Sequence, residues 1–147
     1  MIRLEDAVDV RRDAAATFAF LSAIERYPDW LPGVIAAEQT SDGPLAAGTT
    51  FRLRIAGPAG PIDAEGEVTE LAAPRRLAIG AEAPPGLVRG GFELEEIDVG
   101  TRLRVWMELE LRGAYRFAES LAAGQLKVSL PVELDRLRRI LECPTGS

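Results

Sequence analysis

One stretch decides the fold of this chain: Tyr27-Pro28-Asp29-Trp30-Leu31-Pro32-Gly33-Val34. It joins a helical pattern on its N-terminal side to a strand pattern on its C-terminal side. Proline fixes its own φ and pushes the residue before it out of the helical conformation. The two prolines and two large aromatic side chains therefore predict a rigid corner, which clamps the end of one element to the start of the next.

Strand and helix patterns follow one another along the whole chain, without an internal repeat or a domain boundary. Strands are predicted at residues 2–10, 34–39, 49–55, 62–71, 76–83, 91–97 and 101–111. Helices are predicted at 13–21, with Asp13 as the N-cap, at 24–30 and at 114–141. Glycine and proline at 57–61 and 84–86 mark loop tips. The order is β-α-α-β6-α in a single domain.

The C-terminal helical segment carries two apolar stripes on nearly opposite sides. One consists of Phe117, Leu121, Gly124 and Val128, and the other of Leu126, Leu130, Leu134, Leu137 and Leu141. A straight helix cannot bury both stripes against one sheet. Pro131 lacks a backbone donor and sits where the stripes overlap, so we predict a kink or break at residues 129–131.

The aromatic corner resembles the Tyr-Pro-x-Trp-x-Pro-Gly-Val corner of the START-like, Bet v 1-like (SRPBCC) superfamily of polyketide cyclase/dehydrase and lipid-transport proteins. Three weaker motifs extend the resemblance to residues 2–142. They are Gly48-Thr49-Thr50-Phe51, Ala73-Pro74-Arg75-Arg76-Leu77 and Gly100-Thr101-Arg102-Leu103-Arg104. The resemblance implies an α+β helix-grip fold, in which a curved antiparallel sheet of about seven strands encloses a cavity around the long C-terminal helix. Residues 1–142 would form this domain, and 143–147 a disordered tail.

Composition excludes several classes of function. The chain of 147 residues has no histidine, which removes the commonest general base and metal ligand, so neither a metal nor a cofactor is expected. A net charge of −6 argues against a nucleic-acid partner. No apolar run is long enough to span a membrane, and the first residues lack a signal-peptide pattern, so a cytoplasmic protein is expected. Sixteen arginines against one lysine favour a bacterial origin.

Alternation along the strands separates an apolar inner face from a charged outer face. The inner set is Phe51, Leu53, Ile55, Ile62, Ala64, Gly66, Val68, Leu77, Ile79, Ala81, Phe92, Leu94, Leu103, Val105, Met107 and Leu109. On the outer face, Arg52 and Arg54 should oppose Glu65 and Glu67, and residues 93 and 95 should oppose 102 and 104. Such cross-strand pairs contribute about 0.2–1 kcal/mol each and favour the register.

Two features of the inner face bear on function. Small residues at 64 and 66 leave volume beneath the helix, which either Phe117 and Leu121 fill or a ligand occupies. Asp6 is the one acidic side chain that the pattern directs inward, and a buried carboxylate is a weak candidate for an acid or base. A bulge in the first strand would instead turn Asp6 outward.

Several polar or aromatic side chains have two interpretations each. Tyr27 and Trp30 either pack the corner or line the mouth of a pocket, and Tyr115, Arg116 and Gln125 either orient a ligand's head group or face solvent. Trp106 falls on the outer face, which indicates a homodimer interface or a register error. The residues predicted to contact a ligand are Tyr27, Trp30, Phe51, Leu53, Ala64, Gly66, Ile79, Phe92, Leu94, Val105, Met107, Tyr115, Phe117, Leu121 and Gln125.

Three functions from different classes are compatible with these observations. The leading one is a carrier or sensor for a hydrophobic small molecule, lipid-like or polyketide-like, held in an internal cavity. The second, which the resemblance permits, is a polyketide aromatase/cyclase or dehydratase. The third is a protein-interaction subunit of a larger complex. The apolar inner face and the lack of histidine favour binding over catalysis.

Overall fold

The computed structural model describes residues 2–30, 34–57, 60–83 and 86–142. The strands are β1 (Ile2–Val10), β2 (Val34–Gln39), β3 (Thr50–Gly57), β4 (Gly60–Ala72), β5 (Arg76–Ala83), β6 (Gly86–Ile97) and β7 (Gly100–Leu111). The helices are α1 (Ala14–Ser22), α2 (Tyr27–Trp30) and α3 (Glu119–Glu142). Short 3-10 turns at Ile24–Arg26 and Gly113–Ala118 precede α2 and α3.

All seven strands form one antiparallel sheet in the order β1-β7-β6-β5-β4-β3-β2. The first strand closes one edge by pairing with the last, and each remaining pair is a hairpin of consecutive strands. With α3 following the sheet, this is the helix-grip architecture, so the predicted fold class is confirmed.

Strand β6 begins at Gly86, five residues before the predicted start. Glycines at 90 and 91 lack side chains that pack on a strand, so the pattern before them is weak. Pairing with both neighbouring strands orders this segment, because β6 pairs with β7 along its whole length and with β5 from Gly86 to Glu93. The extension places Val88 and Gly90 in the sheet.

The core lies at the end of the sheet that α1, α2 and the last turns of α3 cover. As predicted, Asp13 caps α1: its Oδ1 accepts a hydrogen bond from the Ala16 backbone N–H at 2.7 Å. Phe18 and Leu21 of α1 are buried in the same cluster as Leu137. Helix α2 ends at Trp30 and β2 begins at Val34, in agreement with the predicted corner, whose residues 31–33 lie outside the described part of the chain.

Helix α3 runs without interruption from Glu119 to Glu142 with Pro131 inside it, so of the two predicted alternatives the break is wrong and the kink stays a prediction. Proline removes a single backbone hydrogen bond, and the turns that follow Pro131 are held by packing against the core. Leu134, Leu137 and Leu141 are buried there. The structure therefore buries the C-terminal part of one apolar stripe and leaves Phe117, Leu121 and Val128 of the other exposed.

The outer face of the sheet carries the predicted ladder of opposite charges. Arg52 lies opposite Glu65, with 3.5 Å between Nη2 and Oε1. Arg54 lies opposite Asp63 rather than Glu67, and Nε and Oδ1 are 3.1 Å apart. Positions 93 and 95 oppose 104 and 102, as expected. These charged side chains are exposed to solvent and pair with one another. A site for an apolar ligand is therefore sought on the inner face.

Candidate functional site

The inner face divides into a closed end and an open end. At the closed end, side chains such as Val10, Leu94 and Leu103 are buried beneath the helices. At the open end, the residues that the alternation directs inward remain half-buried, and all but one of them are apolar. We call this set the inner band: Ile2, Leu4 and Asp6 of β1, Ile79 of β5, Val88 and Gly90 of β6, and Val105, Met107 and Leu109 of β7.

The band is continuous across four strands because the register places its members side by side. Leu4 pairs with Met107, which pairs with Gly90, which in turn pairs with Ile79. Directly opposite residues of antiparallel strands share a face. The result is an accessible, largely apolar surface on the concave side of the sheet.

Open volume on the inner face does not lie over Gly66. A Cβ at that position would be 2.5 Å from Cε2 and Cζ of the Phe51 ring and 2.9 Å from the Gly80 carbonyl oxygen. The ring of Phe51 therefore occupies the space that the small residue at 66 seemed to leave. Gly90 differs, since a Cβ there would meet only the Trp106 carbonyl oxygen within 4 Å, at 3.3 Å.

An aromatic cluster stands where the closed end meets the inner band. The Trp30 ring packs edge-on against Tyr27 at 5.4 Å between centroids and against Phe92 at 6.5 Å, and it contacts Phe20 at 6.5 Å. Phe92 pairs directly with Val105 of the band. Burial raises the pKa of the Tyr27 hydroxyl above its ordinary value, so it stays protonated across the physiological range.

Trp30 buries a hydrogen-bond donor without an acceptor. The side chain is 9% exposed, and its Nε1 has no partner among the described residues. Buried donors are nearly always paired, because an unpaired one loses its hydration without compensation. The ring that carries this orphan donor contacts Phe92, which pairs with Val105 of the inner band.

Asp6 lies on the inner face, since the pairing of β1 with β7 is regular and places it opposite Val105. No bulge turns it outward. Its side chain is half-buried, and Oδ1 accepts a hydrogen bond from the Ala7 backbone N–H at 2.8 Å. Within the inner band it is the one ionisable side chain; Glu96 shares the inner face but lies exposed at the other end of β6.

The predicted ligand-contacting residues fall into three groups. Tyr27, Trp30, Phe51, Leu53, Ala64, Phe92 and Leu94 are buried in the core, and Gly66, Ile79, Val105 and Met107 are half-buried. Phe117, Leu121 and Gln125 are exposed, and the side chain of Tyr115 lies outside the described part of the structure. Phe117 is 87% and Leu121 68% exposed, so neither fills the space beneath the helix.

Ile2, Leu4, Val88, Gly90 and Leu109 belong to the inner band but were missing from the predicted ligand contacts. Alternation alone puts Leu4 and Leu109 on the inner face. What it does not show is that the start of β1 pairs with the end of β7, which brings the two together at the open end. Val88 was missed because the predicted strand began after it.

Two grooves on the protein surface are polar. One, of about 460 Å³, is lined mainly by outer-face residues of β3, β4 and β5, including Arg52, Glu65 and Glu67. The other, of about 180 Å³, lies among charged side chains of β5, β6 and β7. Arg52 is already paired with Glu38 and Glu65. These grooves do not offer the apolar surface that the inner band does.

Two kinds of site or segment are absent from the described part of the chain. Within residues 2–30, 34–57, 60–83 and 86–142, no group of three or more acidic, cysteine or histidine side chains is arranged to hold a metal ion. No helix in the same ranges combines the length and hydropathy of a membrane span.

Solved structures with the same fold come from several bacteria. The Zhui aromatase/cyclase from Streptomyces sp. R1128 is 18% identical and superposes with a TM-score of 0.75 over 99% of both chains. A START superfamily protein from Mycobacterium smegmatis is 16% identical, with a TM-score of 0.74 over 95% of this chain and 98% of its own. At these identities the likeness shows the fold.

No curated protein matches the chain in sequence. The family described as polyketide cyclase / dehydrase and lipid transport, in contrast, matches residues 1–142, nearly the full length. This match agrees with the aromatic corner, the helix-grip topology and the structural neighbours. The chain belongs to the polyketide cyclase/dehydrase and lipid transport family.

Proposed function

We propose that the protein binds a hydrophobic small molecule against the inner band and acts as a carrier or sensor for it. The observation that carries the proposal is the half-buried state of apolar side chains such as Leu4, Val88 and Met107 on the concave face. Apolar residues at such positions are ordinarily covered in a stable core. A ligand that covers them would remove this surface from water.

The free energy of binding would come mainly from the apolar surface area that the ligand and the protein bury together. Each Å² of apolar surface removed from water contributes about 25 cal/mol, and the cost of association offsets part of the total. A rigid polycyclic molecule loses little conformational freedom for the area that it buries, whereas a flexible lipid chain loses more. The family's description, which includes lipid transport, agrees with such a ligand.

The experiment is a fluorescence titration with N-phenyl-1-naphthylamine, a neutral probe that brightens in apolar surroundings. Val88→Trp would place a large ring in the inner band, and Arg89→Trp would place the same ring on the exposed outer face of the same strand. We expect binding to the wild-type protein and to Arg89→Trp, and a loss of at least roughly tenfold in affinity in Val88→Trp. Equal affinities in the two variants, both folded by circular dichroism, would refute the location.

A second candidate function is a polyketide cyclase or dehydratase activity, which the placement of Asp6 favours. Its carboxylate stands half-buried on a face that is otherwise apolar, where it can reach a bound molecule's exchangeable protons. Turnover of an aromatic polyketide substrate that is abolished in Asp6→Asn, with probe binding retained, would establish this function. Unchanged turnover in Asp6→Asn would exclude Asp6 as its acid or base.

A further inference from the structure

We infer that the ligand is electrically neutral and carries an acceptor oxygen, such as a ketone, which takes a hydrogen bond from Trp30 Nε1. This inference rests on the proposed function and specifies the ligand's chemistry. Two independent observations lead to it: the buried, unpartnered indole N–H and the pattern of charge on the inner face.

The first observation concerns hydrogen bonding. Trp30 Nε1 finds no acceptor among the described residues, although the side chain is 9% exposed. The ring is held by Tyr27, Phe20 and Phe92, so it cannot easily turn its N–H towards solvent. A ligand oxygen would satisfy this donor at the place where the aromatic cluster meets the inner band.

The second observation concerns charge. At the inner-face positions of the described strands there is no arginine or lysine to neutralise an anionic ligand. The inner band has Asp6 as its one ionisable side chain and holds no cationic group that could pair with a ligand's carboxylate or phosphate. Burial of an unpaired charge is strongly unfavourable, so the band selects against fatty acids and other anions.

A matched set of three tricyclic probes tests the inference. 9-Fluorenone has a carbonyl oxygen, fluorene has the same skeleton without it, and fluorene-9-carboxylate is an anion. Each is titrated into the wild-type protein and Trp30→Phe, which keeps an aromatic ring and removes the N–H. The two indole N–H signals in the ¹⁵N spectrum are assigned with Trp106→Phe.

We expect fluorenone to bind the wild-type protein roughly tenfold more tightly than fluorene, because it pairs a donor that is otherwise unpaired. Trp30→Phe should lower fluorenone's affinity to that of fluorene and leave fluorene unchanged. Fluorenone, unlike fluorene, should move the Trp30 indole signal downfield, with the Trp106 signal unmoved. The carboxylate should bind most weakly.

Equal affinities of fluorenone and fluorene for the wild-type protein would overturn the inference and leave the proposed function standing. Tightest binding of the carboxylate would overturn it as well. If no probe binds, the proposed function fails together with the inference. If Trp30→Phe does not fold, the chemical shift of the Trp30 indole N–H in the wild-type protein is the remaining test. An unchanged shift with fluorenone bound would refute the hydrogen bond.

Discussion

The ring of Phe51 lies over Gly66 of the neighbouring strand, in the position that a side chain at 66 would take. These two residues pair directly between β3 and β4. A Cβ on Gly66 would come within 2.5 Å of two ring carbons, and Phe51 is fully buried. The glycine is therefore part of the core packing, and the accessible part of the inner face lies in the inner band.

Gly66→Ala should destabilise the protein by about 1–3 kcal/mol, because the added methyl group overpacks a buried ring and the Gly80 carbonyl oxygen. Urea denaturation measures the effect. Gly80→Ala is the matched control, since a Cβ there meets only Thr69 Cγ2 at 3.8 Å within 4 Å. The double variant with Phe51→Leu should recover part of the loss. Equal stability of the two single variants would contradict this packing.

Two buried threonines should respond oppositely to replacement by valine. Thr101 Oγ1 donates a hydrogen bond to the Arg12 carbonyl oxygen at 2.8 Å, whereas Thr17 Oγ1 is buried with no partner among the described residues. Thr101→Val removes this donor from a partly buried carbonyl and should cost about 0.5–1.5 kcal/mol, and Thr17→Val should be neutral or stabilising. Thermal unfolding of both variants is the measurement, and an equal loss in both would be inconsistent with these partners.

The two sides of α3 should differ sharply in their contribution to stability. Leu137 is 4% exposed in the core and Val132 is 66% exposed. Leu137→Ala should lower the free energy of unfolding by about 2–5 kcal/mol, and Val132→Ala should change it by less than about 0.5 kcal/mol. A large loss in Val132→Ala, measured by denaturant titration, would show that the exposed stripe is covered in solution.

Acid should weaken the end of α3. Hydrogen bonds from Arg138, and the charge of Arg139, hold the pKa of Asp135 below its ordinary value. A carboxyl group with a lowered pKa in the folded state stabilises the protein above its unfolded pKa, and this contribution is lost as pH falls through the folded value. The free energy of unfolding should therefore decrease below about pH 4.

Asp135→Asn is the control for this pH dependence. It removes the titrating group, so the decline between about pH 4 and pH 2 should be shallower than in the wild-type protein. Denaturant titrations at a series of pH values give the free energy of unfolding of both proteins, and hence its slope against pH in each. Superimposable slopes would mean that Asp135 has the same pKa in the folded and unfolded states.

The fold could be predicted because its signals are local. The aromatic corner, the alternation on the strands and the order of elements are all properties of neighbouring residues, and together they gave the helix-grip architecture. The start of β6 was missed because strand pairing, rather than local pattern, orders the segment around Gly90. The same local reasoning identified two stripes on α3 but could not tell which one the sheet would bury.

The site was less predictable because it depends on contacts between distant segments. Alternation placed Gly66 on the inner face. It could not show that the Phe51 ring of the neighbouring strand lies over this glycine, because that depends on packing between strands. Asp6 was directed inward correctly, since β1 has no bulge. The orphan N–H of Trp30 has no signature in sequence at all. The predicted ligand contacts remain predictions.

The central claim, that a ligand occupies the inner band, is tested most directly by methyl-detected NMR with N-phenyl-1-naphthylamine. We predict intermolecular NOEs from the probe to methyl groups of Leu4, Val88 and Met107. The methyl groups of Ile35 and Val99, which are exposed elsewhere on the surface, should show none. NOEs confined to Leu121, Val128 and Val132 on the exposed side of α3, or none to the inner band under saturating probe, would contradict the account.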